Sequence, residues 1–167
     1  FISQFNFGVQ KISASDQIYY AQAQSIVTPE DSEKQERPNY IQISDRRSSD
    51  VRGVWELSVT QLEQFASERG HTLLGAQIQL TNGQIDSATD HPEPTMKTEG
   101  QIELIPGEKQ SLLYAEGEQG QGTWVYRFGD AHTADQSVAL NVPSAANSMA
   151  TNYESKLLWE LSAVPGN

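Results

Sequence analysis

The segment GDAHTAD brings Asp130, His132 and Asp135 within a few residues of one another. Two carboxylates and an imidazole in one short segment could hold a metal ion or exchange a proton in acid–base catalysis. The other histidines, His71 and His91, lie far away, so the paired spacing of a helical zinc site is missing. Because a solvated polar loop has the same composition, we expect such a loop here, and neither a metal nor another cofactor.

Sequence motifs of hydrolases and phosphate-transfer enzymes are absent from the chain. Neither Gly-x-Ser-x-Gly nor the phosphate-binding Gly-rich loop occurs, and there is no cysteine to serve as a nucleophile. The 22 acidic residues will place some pair near the spacing of a glycosidase by chance. We therefore expect a protein without enzyme activity. An enzyme acting on wall or plant polysaccharide has only these abundant carboxylates in its favour.

Aromatic side chains offer a second kind of chemistry, the stacking of a sugar or a partner on a ring. Trp124, Tyr126 and Phe128 alternate along the segment TWVYRF, beside a glycine-rich stretch. If this row faces solvent, the three rings are candidate ligand-binding aromatics. A second strand facing the core has the same pattern, so the spacing leaves both interpretations open.

The tetrapeptide Trp-Glu-Leu-Ser occurs twice, in the middle of the chain and close to its end. In each copy Trp and Leu are two residues apart, Trp55 with Leu57 and Trp159 with Leu161, so they share one face of a strand. This alternation favours burial, although a binding role for the four residues stays open. Two such strands could lie side by side or face each other across a sandwich, forming one aromatic–aliphatic cluster.

The elements that must position these residues are β-strands, because apolar residues alternate with period two along most of the chain. Turn-forming residues, including Asn82-Gly83 and Pro106-Gly107, separate the alternating runs. The pattern predicts an all-β fold, an antiparallel β-sandwich or barrel-like sandwich with long loops and at most one short helix. The predicted strands are 5–10, 40–45, 54–60, 73–80, 101–105, 111–115, 123–128, 137–142 and 153–163.

Three segments depart from the strand pattern. Thr60 and Glu63 have the spacing of a capping box, which predicts a short helix or single turn at about 61–68. The charged segment 28–39 and the polar segment 86–95 each contain two prolines, and we expect long surface loops there.

Composition restricts the partners. The chain of 167 residues is long enough for one domain, 1–167, and carries a net charge of −11. Such a charge disfavours nucleic acids and anionic lipid surfaces. No apolar run is long enough to insert into a membrane. Because the chain begins with Phe1, we expect a mature or excised domain whose targeting segment lies outside it.

Five sequence blocks together resemble the WxL domain, a cell-surface domain of low-GC Gram-positive bacteria that is named for two Trp-x-Leu motifs. The blocks are NFGVQKISASDQIYYAQ, SDRRSSDVRGVWELSVTQ, LLGAQIQL, GQGTWVYRFGD and YESKLLWELSAVPGN. The resemblance runs from about residue 5 to the last residue. Trp55-Glu56-Leu57 and Trp159-Glu160-Leu161 match the two motifs, with glutamate at the middle position, where threonine is expected more often.

The resemblance implies a secreted, non-catalytic module at the cell surface, attached non-covalently to the cell wall through peptidoglycan. It also implies a membrane-anchored surface partner protein and, in some members, adhesion to a host matrix protein. Two functions follow as expectations. One is a wall-binding module, and the alternative is a protein-interaction module that docks the membrane-anchored partner or the host protein.

Overall fold

The structure, a computed structural model, describes residues 1–28, 31–48 and 53–164, which form thirteen β-strands and one short 3-10 helix. The strands are β1 (Gln17–Tyr20), β2 (Gln24–Thr28), β3 (Asp31–Arg37), β4 (Asn39–Asp45), β5 (Val54–Gln61), β6 (Gln77–Leu80), β7 (Gly83–Ser87), β8 (Thr95–Met96), β9 (Ile102–Leu104), β10 (Lys109–Ala115), β11 (Gly122–Phe128), β12 (Val138–Val142) and β13 (Leu157–Val164). The 3-10 helix is Ser144–Ala146.

All strand pairs are antiparallel, and they build three larger sheets and a ribbon. Sheet A has the order β1-β12-β6-β9, sheet B the order β13-β5-β10-β8, and sheet C the order β4-β11-β7, while β2 pairs with β3. The predicted all-β, antiparallel class is confirmed, and no sheet closes on itself within the described ranges. No helix in these ranges is long and apolar enough to cross a membrane.

One hydrophobic core holds the sheets together, and alternate residues of the inner strands supply it. On β6 and β9 every second side chain is buried, as period-two patterning requires for a sheet with one solvated face, and on β12 the small Ala139 is buried as well. The core-facing side chains of these strands are Ile78, Leu80, Ile102, Leu104, Val138, Leu140 and Val142. Complete burial of such a side chain contributes about 1.5–3 kcal/mol.

Strand β10 breaks the alternation with a register shift between Ser111 and Leu113, where it pairs with β5. The extra residue, Leu112, lets two successive leucines be buried, at 1% and 0% exposure. A bulge of this kind bends the strand and re-aims one side chain.

The helix predicted at about 61–68 is wrong. Gln61 is the last residue of β5, and residues 62–72 follow an irregular path in which Ala66 forms bridges to Thr72 and Glu154. Phe65 is buried and fixes this path to the core. Thr60, the expected cap, instead pairs with Leu158 of β13, because tertiary pairing outweighs a capping signal of about 1 kcal/mol.

The strand predicted at 5–10 is also wrong. Gly8 has a φ of 68°, which interrupts an extended path, and Val9 is fully exposed. Phe5 and Phe7 still pack against the core. Their apolar character thus indicated burial correctly, although the segment does not form a strand. Residues before Phe5 instead run along the edge of β4, where the Ser3 N–H donates to the Tyr40 carbonyl.

The two predicted loops have different outcomes. Segment 28–39 lies largely in the β2–β3 ribbon, with residues 29–30 outside the described residues, so the loop prediction there is wrong. The ribbon sequence is polar and does not alternate between apolar and polar residues, so the period-two pattern did not predict these two strands. Segment 86–95 runs from the end of β7 to the start of β8 and is irregular between them, as predicted.

Candidate functional site

The two Trp-x-Leu strands lie side by side in sheet B. Trp55 of β5 is opposite Ala163 of β13, Leu57 is opposite Leu161, and Trp159 follows at the next inward-facing position of β13. Directly opposite residues of an antiparallel pair project from the same face, so both motifs contribute to one surface. The repeated tetrapeptide therefore builds two neighbouring strands with matching faces.

Burial differs sharply between the two motifs. Trp55 and Leu57 are 2% and 3% exposed, because β5 lies between two strands and its inner face is covered. Trp159 is half-buried, and Leu161 is 50% exposed on the outermost strand of the sheet. The first motif is thus core, and the second lies at the border of the core and solvent.

An aromatic chain connects the second motif to sheet C. The Phe5 ring meets the Trp159 ring edge to face, with centroids 6.4 Å apart, and meets Phe128 at 6.1 Å. Phe128 in turn contacts Tyr126 at 5.0 Å. Such pairs contribute about 0.5–1.5 kcal/mol beyond the burial of their area. The segment before β1 therefore fastens the outermost strand to the core.

The middle glutamates of both motifs lie on the opposite face of sheet B. Glu160 pairs with Ser58 in register and forms an ion pair of 3.0 Å with Lys109 of β10. Glu56 pairs with Ser162. Because both side chains face away from the Trp and Leu residues, glutamate at these positions leaves the shared motif face unchanged.

An open groove of ≈ 330 Å³ lies where the two motifs meet the end of β4. We call it the motif groove. It is lined by Ile43, Ser44, Asp45, Arg46, Arg47, Trp55, Leu161 and Ala163. Its apolar part comes from both motif strands and from Ile43, and its polar part comes from the residues that end and follow β4. The groove can therefore receive a ligand with an apolar surface and a polar or anionic group.

A bidentate ion pair between Arg47 and Asp45 lies in the polar part of the motif groove. Arg47 Nε donates to Asp45 Oδ1 and Arg47 Nη2 donates to Asp45 Oδ2, both at 2.9 Å. These hydrogen bonds raise the pKa of the Arg47 guanidinium, so it stays cationic. A bidentate pair also holds a guanidinium in one plane. Arg46 beside it is exposed, and the groove gains a positive group in a chain of net charge −11.

The buried indole of Trp55 carries an N–H group that has no hydrogen-bond partner among the described residues. An unsatisfied buried donor costs about 1–3 kcal/mol. Buried indole N–H groups ordinarily find a partner, so an orphan one in a groove-lining residue is the kind of group that a ligand oxygen could satisfy.

Gly120, in the loop between β10 and β11, lies directly against the Trp55 indole. A Cβ atom at Gly120 would lie 2.6 Å from Trp55 Cζ2 and 2.8 Å from the Ala115 Cβ. Gly120 also has a φ of +70°, in the left-handed region that glycine tolerates best. The glycine-rich loop thus holds the groove-lining indole in place by backbone contact.

The three candidate ligand-binding aromatics, Trp124, Tyr126 and Phe128, are each 1% exposed. They share the inner face of sheet C with Ile41 and Ile43 of β4. The outward residues of β11 are instead those between them, such as Arg127. Of the two interpretations, the structure favours a second core-facing strand, because no ring of this row offers a surface on which a sugar could stack.

Burial raises the pKa of the Tyr126 hydroxyl to about 12. Because the folded state favours the neutral hydroxyl, this contribution to stability is complete below the ordinary pKa of about 10 and is lost as pH rises towards 12. We expect the free energy of unfolding to fall by about 1.4 kcal/mol per pH unit in this range from this group. Urea unfolding at stepped pH measures it. The slope should be smaller in Tyr126→Phe, and equal slopes would contradict the burial.

A family model of the WxL domain, described as surface cell wall-binding, matches residues 1–165. The chain belongs to the WxL domain family. No curated protein and no solved structure matches the sequence. Membership shows a cell-wall-binding surface domain.

Asp130 and His132 of this WxL domain lie in a turn that the carboxylate itself organises. Asp130 Oδ1 accepts hydrogen bonds from the backbone N–H groups of His132 and Thr133 and from the Thr133 hydroxyl. These bonds lower the pKa of the Asp130 carboxyl, with the His132 N–H contributing most. Across the described residues no group of three or more His, Asp or Glu side chains is placed to hold a metal.

Sequence reasoning missed the polar half of the motif groove. Asp45 ends a predicted strand and Arg46 and Arg47 follow it directly, so an acid beside two arginines was visible in the segment SDRR. Their proximity to Leu161, more than a hundred residues later, depends on sheet packing that no local pattern encodes.

Proposed function

We propose that this WxL domain attaches non-covalently to the cell wall by binding peptidoglycan at the motif groove. The observation that carries the proposal is the convergence of both family motifs, Trp55 and Leu161, on one open groove with arginines at its end. The family's cell-wall-binding description supports the wall as the target.

The chemistry of the groove fits the stem peptides of peptidoglycan. These peptides present methyl groups and carboxylates close together, which match an apolar floor and a guanidinium. Leu161, Ala163 and Ile43 supply the floor, and the exposed Arg46 supplies a cationic group next to the Arg47–Asp45 ion pair. The overall charge of −11 repels anionic teichoic acids, so the local cationic group would select a small anion over a polyanion.

A second candidate function is the docking of a protein partner on β13. This strand is eight residues long and, in the described part of the chain, pairs on one side only. Leu158 and Leu161, on its opposite faces, are 44% and 50% exposed. A partner could add a strand to this edge, either a membrane-anchored surface protein or a host matrix protein. Wall attachment would then be indirect.

A pull-down on insoluble peptidoglycan stripped of teichoic acids separates the two functions. We expect the purified domain to be retained, and largely so from about 0.15 M to about 1 M salt, because apolar contact is not screened. Native wall with teichoic acids serves as the comparison and should retain no more protein. Passage of the folded domain through bare peptidoglycan would reject direct binding and support the docking function.

A further inference from the structure

The outer face of sheet A carries a row of polar side chains next to an exposed tyrosine. Register across the sheet places Tyr20, Ala139, Gln79 and Glu103 directly beside one another on β1, β12, β6 and β9. The neighbouring residues of these strands, such as Leu140, are buried in the core. The row therefore faces outwards, and Tyr20 is 45% exposed at one end of it.

A second row runs parallel to the first. Ile18, Asn141 and Gln77 are partners on β1, β12 and β6, and Ile18 is 57% exposed. All three line an open cleft of ≈ 370 Å³ whose end is formed by Asp16 and Pro143 with their neighbours. We call the two rows, Ile18, Tyr20, Gln77, Gln79, Glu103, Ala139 and Asn141, the amide face.

The glutamine amides of the amide face lie around one carboxylate, that of Glu103. Glu103 accepts from Gln101 at 3.0 Å and, through longer bonds of 3.4 Å, from Gln77 and Gln79. Each glutamine keeps an amide oxygen that can accept, and a second N–H that can donate. The carboxylate is thus already satisfied, and the amides form an organised set of donors and acceptors.

We propose that the amide face binds a neutral oligosaccharide. Amides offer donors and acceptors to hydroxyl and acetamido groups, and Tyr20 and Ile18 offer apolar surface to the C–H face of a sugar ring. Neither row contains lysine or arginine, so an anionic ligand finds no partner charge. Four strands spaced by about 4.8 Å span about 14 Å, which suits a short oligosaccharide. This site is separate from the motif groove and does not rest on the proposed function.

Titration calorimetry with two soluble β-1,4-linked tetramers, one of N-acetylglucosamine and one of glucose, tests the site. The parent should bind at least one, and the one it binds distinguishes wall-type from cellulose-type glycan. Tyr20→Ala and Gln79→Ala should each weaken binding about tenfold. Matched controls are Tyr114→Ala, on the outer face of sheet B, and Gln42→Ala, on the outer face of sheet C; both should bind as the parent does.

Two results would overturn the site. The first is a parent that binds neither tetramer, which would leave the amide face to a protein partner or to no ligand. The second is a folded Gln79→Ala and a folded Tyr20→Ala that both bind like the parent. Since the tetramers carry no peptide stems, a Leu161→Asp variant should bind them as the parent does. This variant therefore distinguishes loss of oligosaccharide binding at the amide face from loss of peptidoglycan binding at the motif groove.

Discussion

Trp55→Ala is expected to lower the free energy of unfolding by about 3–5 kcal/mol, a large share of the stability of a domain of this size. Trp55 is 2% exposed and packs against the backbone at Gly120, so its truncation leaves a cavity that this rigid contact cannot refill. Urea denaturation followed by fluorescence and circular dichroism measures the loss. The removal of the unpartnered N–H recovers part of the cost, so Trp55→Phe should be much milder than Trp55→Ala.

The control for this prediction is the second motif. Leu161→Ala should cost well below 1.5 kcal/mol, because half of that side chain is already in water. Trp159→Ala should fall between the two, since Trp159 is half-buried against Phe5. A Trp55→Ala variant that melts within a degree or two of the parent would show that the first motif does not support the core.

Gly120→Ala is expected to destabilise the domain by about 2–5 kcal/mol, of which overpacking contributes about 1–3 kcal/mol and the left-handed backbone about 1–2 kcal/mol. The added Cβ would lie 2.6 Å from Trp55 Cζ2 and 2.8 Å from the Ala115 Cβ, so two close contacts would have to be relieved at once. Chemical denaturation is again the measurement, and the tryptophan emission, to which Trp55 contributes with Trp124 and Trp159, should change when the Trp55 indole is displaced.

Gly117→Ala provides the matched control in the same loop. Its φ is +60°, but an added Cβ meets nothing within 4 Å, so only the backbone term of about 1–2 kcal/mol applies. The difference between the two variants isolates the contact with Trp55. Equal losses in both would mean that Gly120 is needed for its backbone alone.

Most strands with an alternating apolar run were predictable from the sequence, and strands without such a run were not. Segments such as 54–60 and 123–128 have enough period-two residues to specify a strand, and β5 and β11 occupy them. The four-residue β1 is too short for such a run, and most residues of β3 are charged. Pairing with neighbours, which is non-local, forms these strands.

The alternation of apolar and polar residues also determines which side chains share a face of a strand. It does not determine how far that face is buried by neighbouring elements. Trp55 and Trp159 have the same local pattern, yet the central position of β5 buries one and the edge position of β13 leaves the other half-buried. The same limit applies to Trp124, whose face could have been the inner or the outer one. Strand order within sheet B decides the first case and the packing of one face of sheet C against the core decides the second, and no local signal encodes either.

Binding at the motif groove is tested by comparing two leucines of β13, an edge strand of sheet B. Leu161 lines the motif groove, whereas Leu158 is similarly exposed on the opposite face of β13, at 44% against 50%. The retention of Leu161→Asp and Leu158→Asp on bare peptidoglycan is measured after circular dichroism has shown that both are folded. Binding at the motif groove predicts that Leu161→Asp loses at least about tenfold in affinity while Leu158→Asp binds as the parent does. Equal retention of the two variants would contradict it.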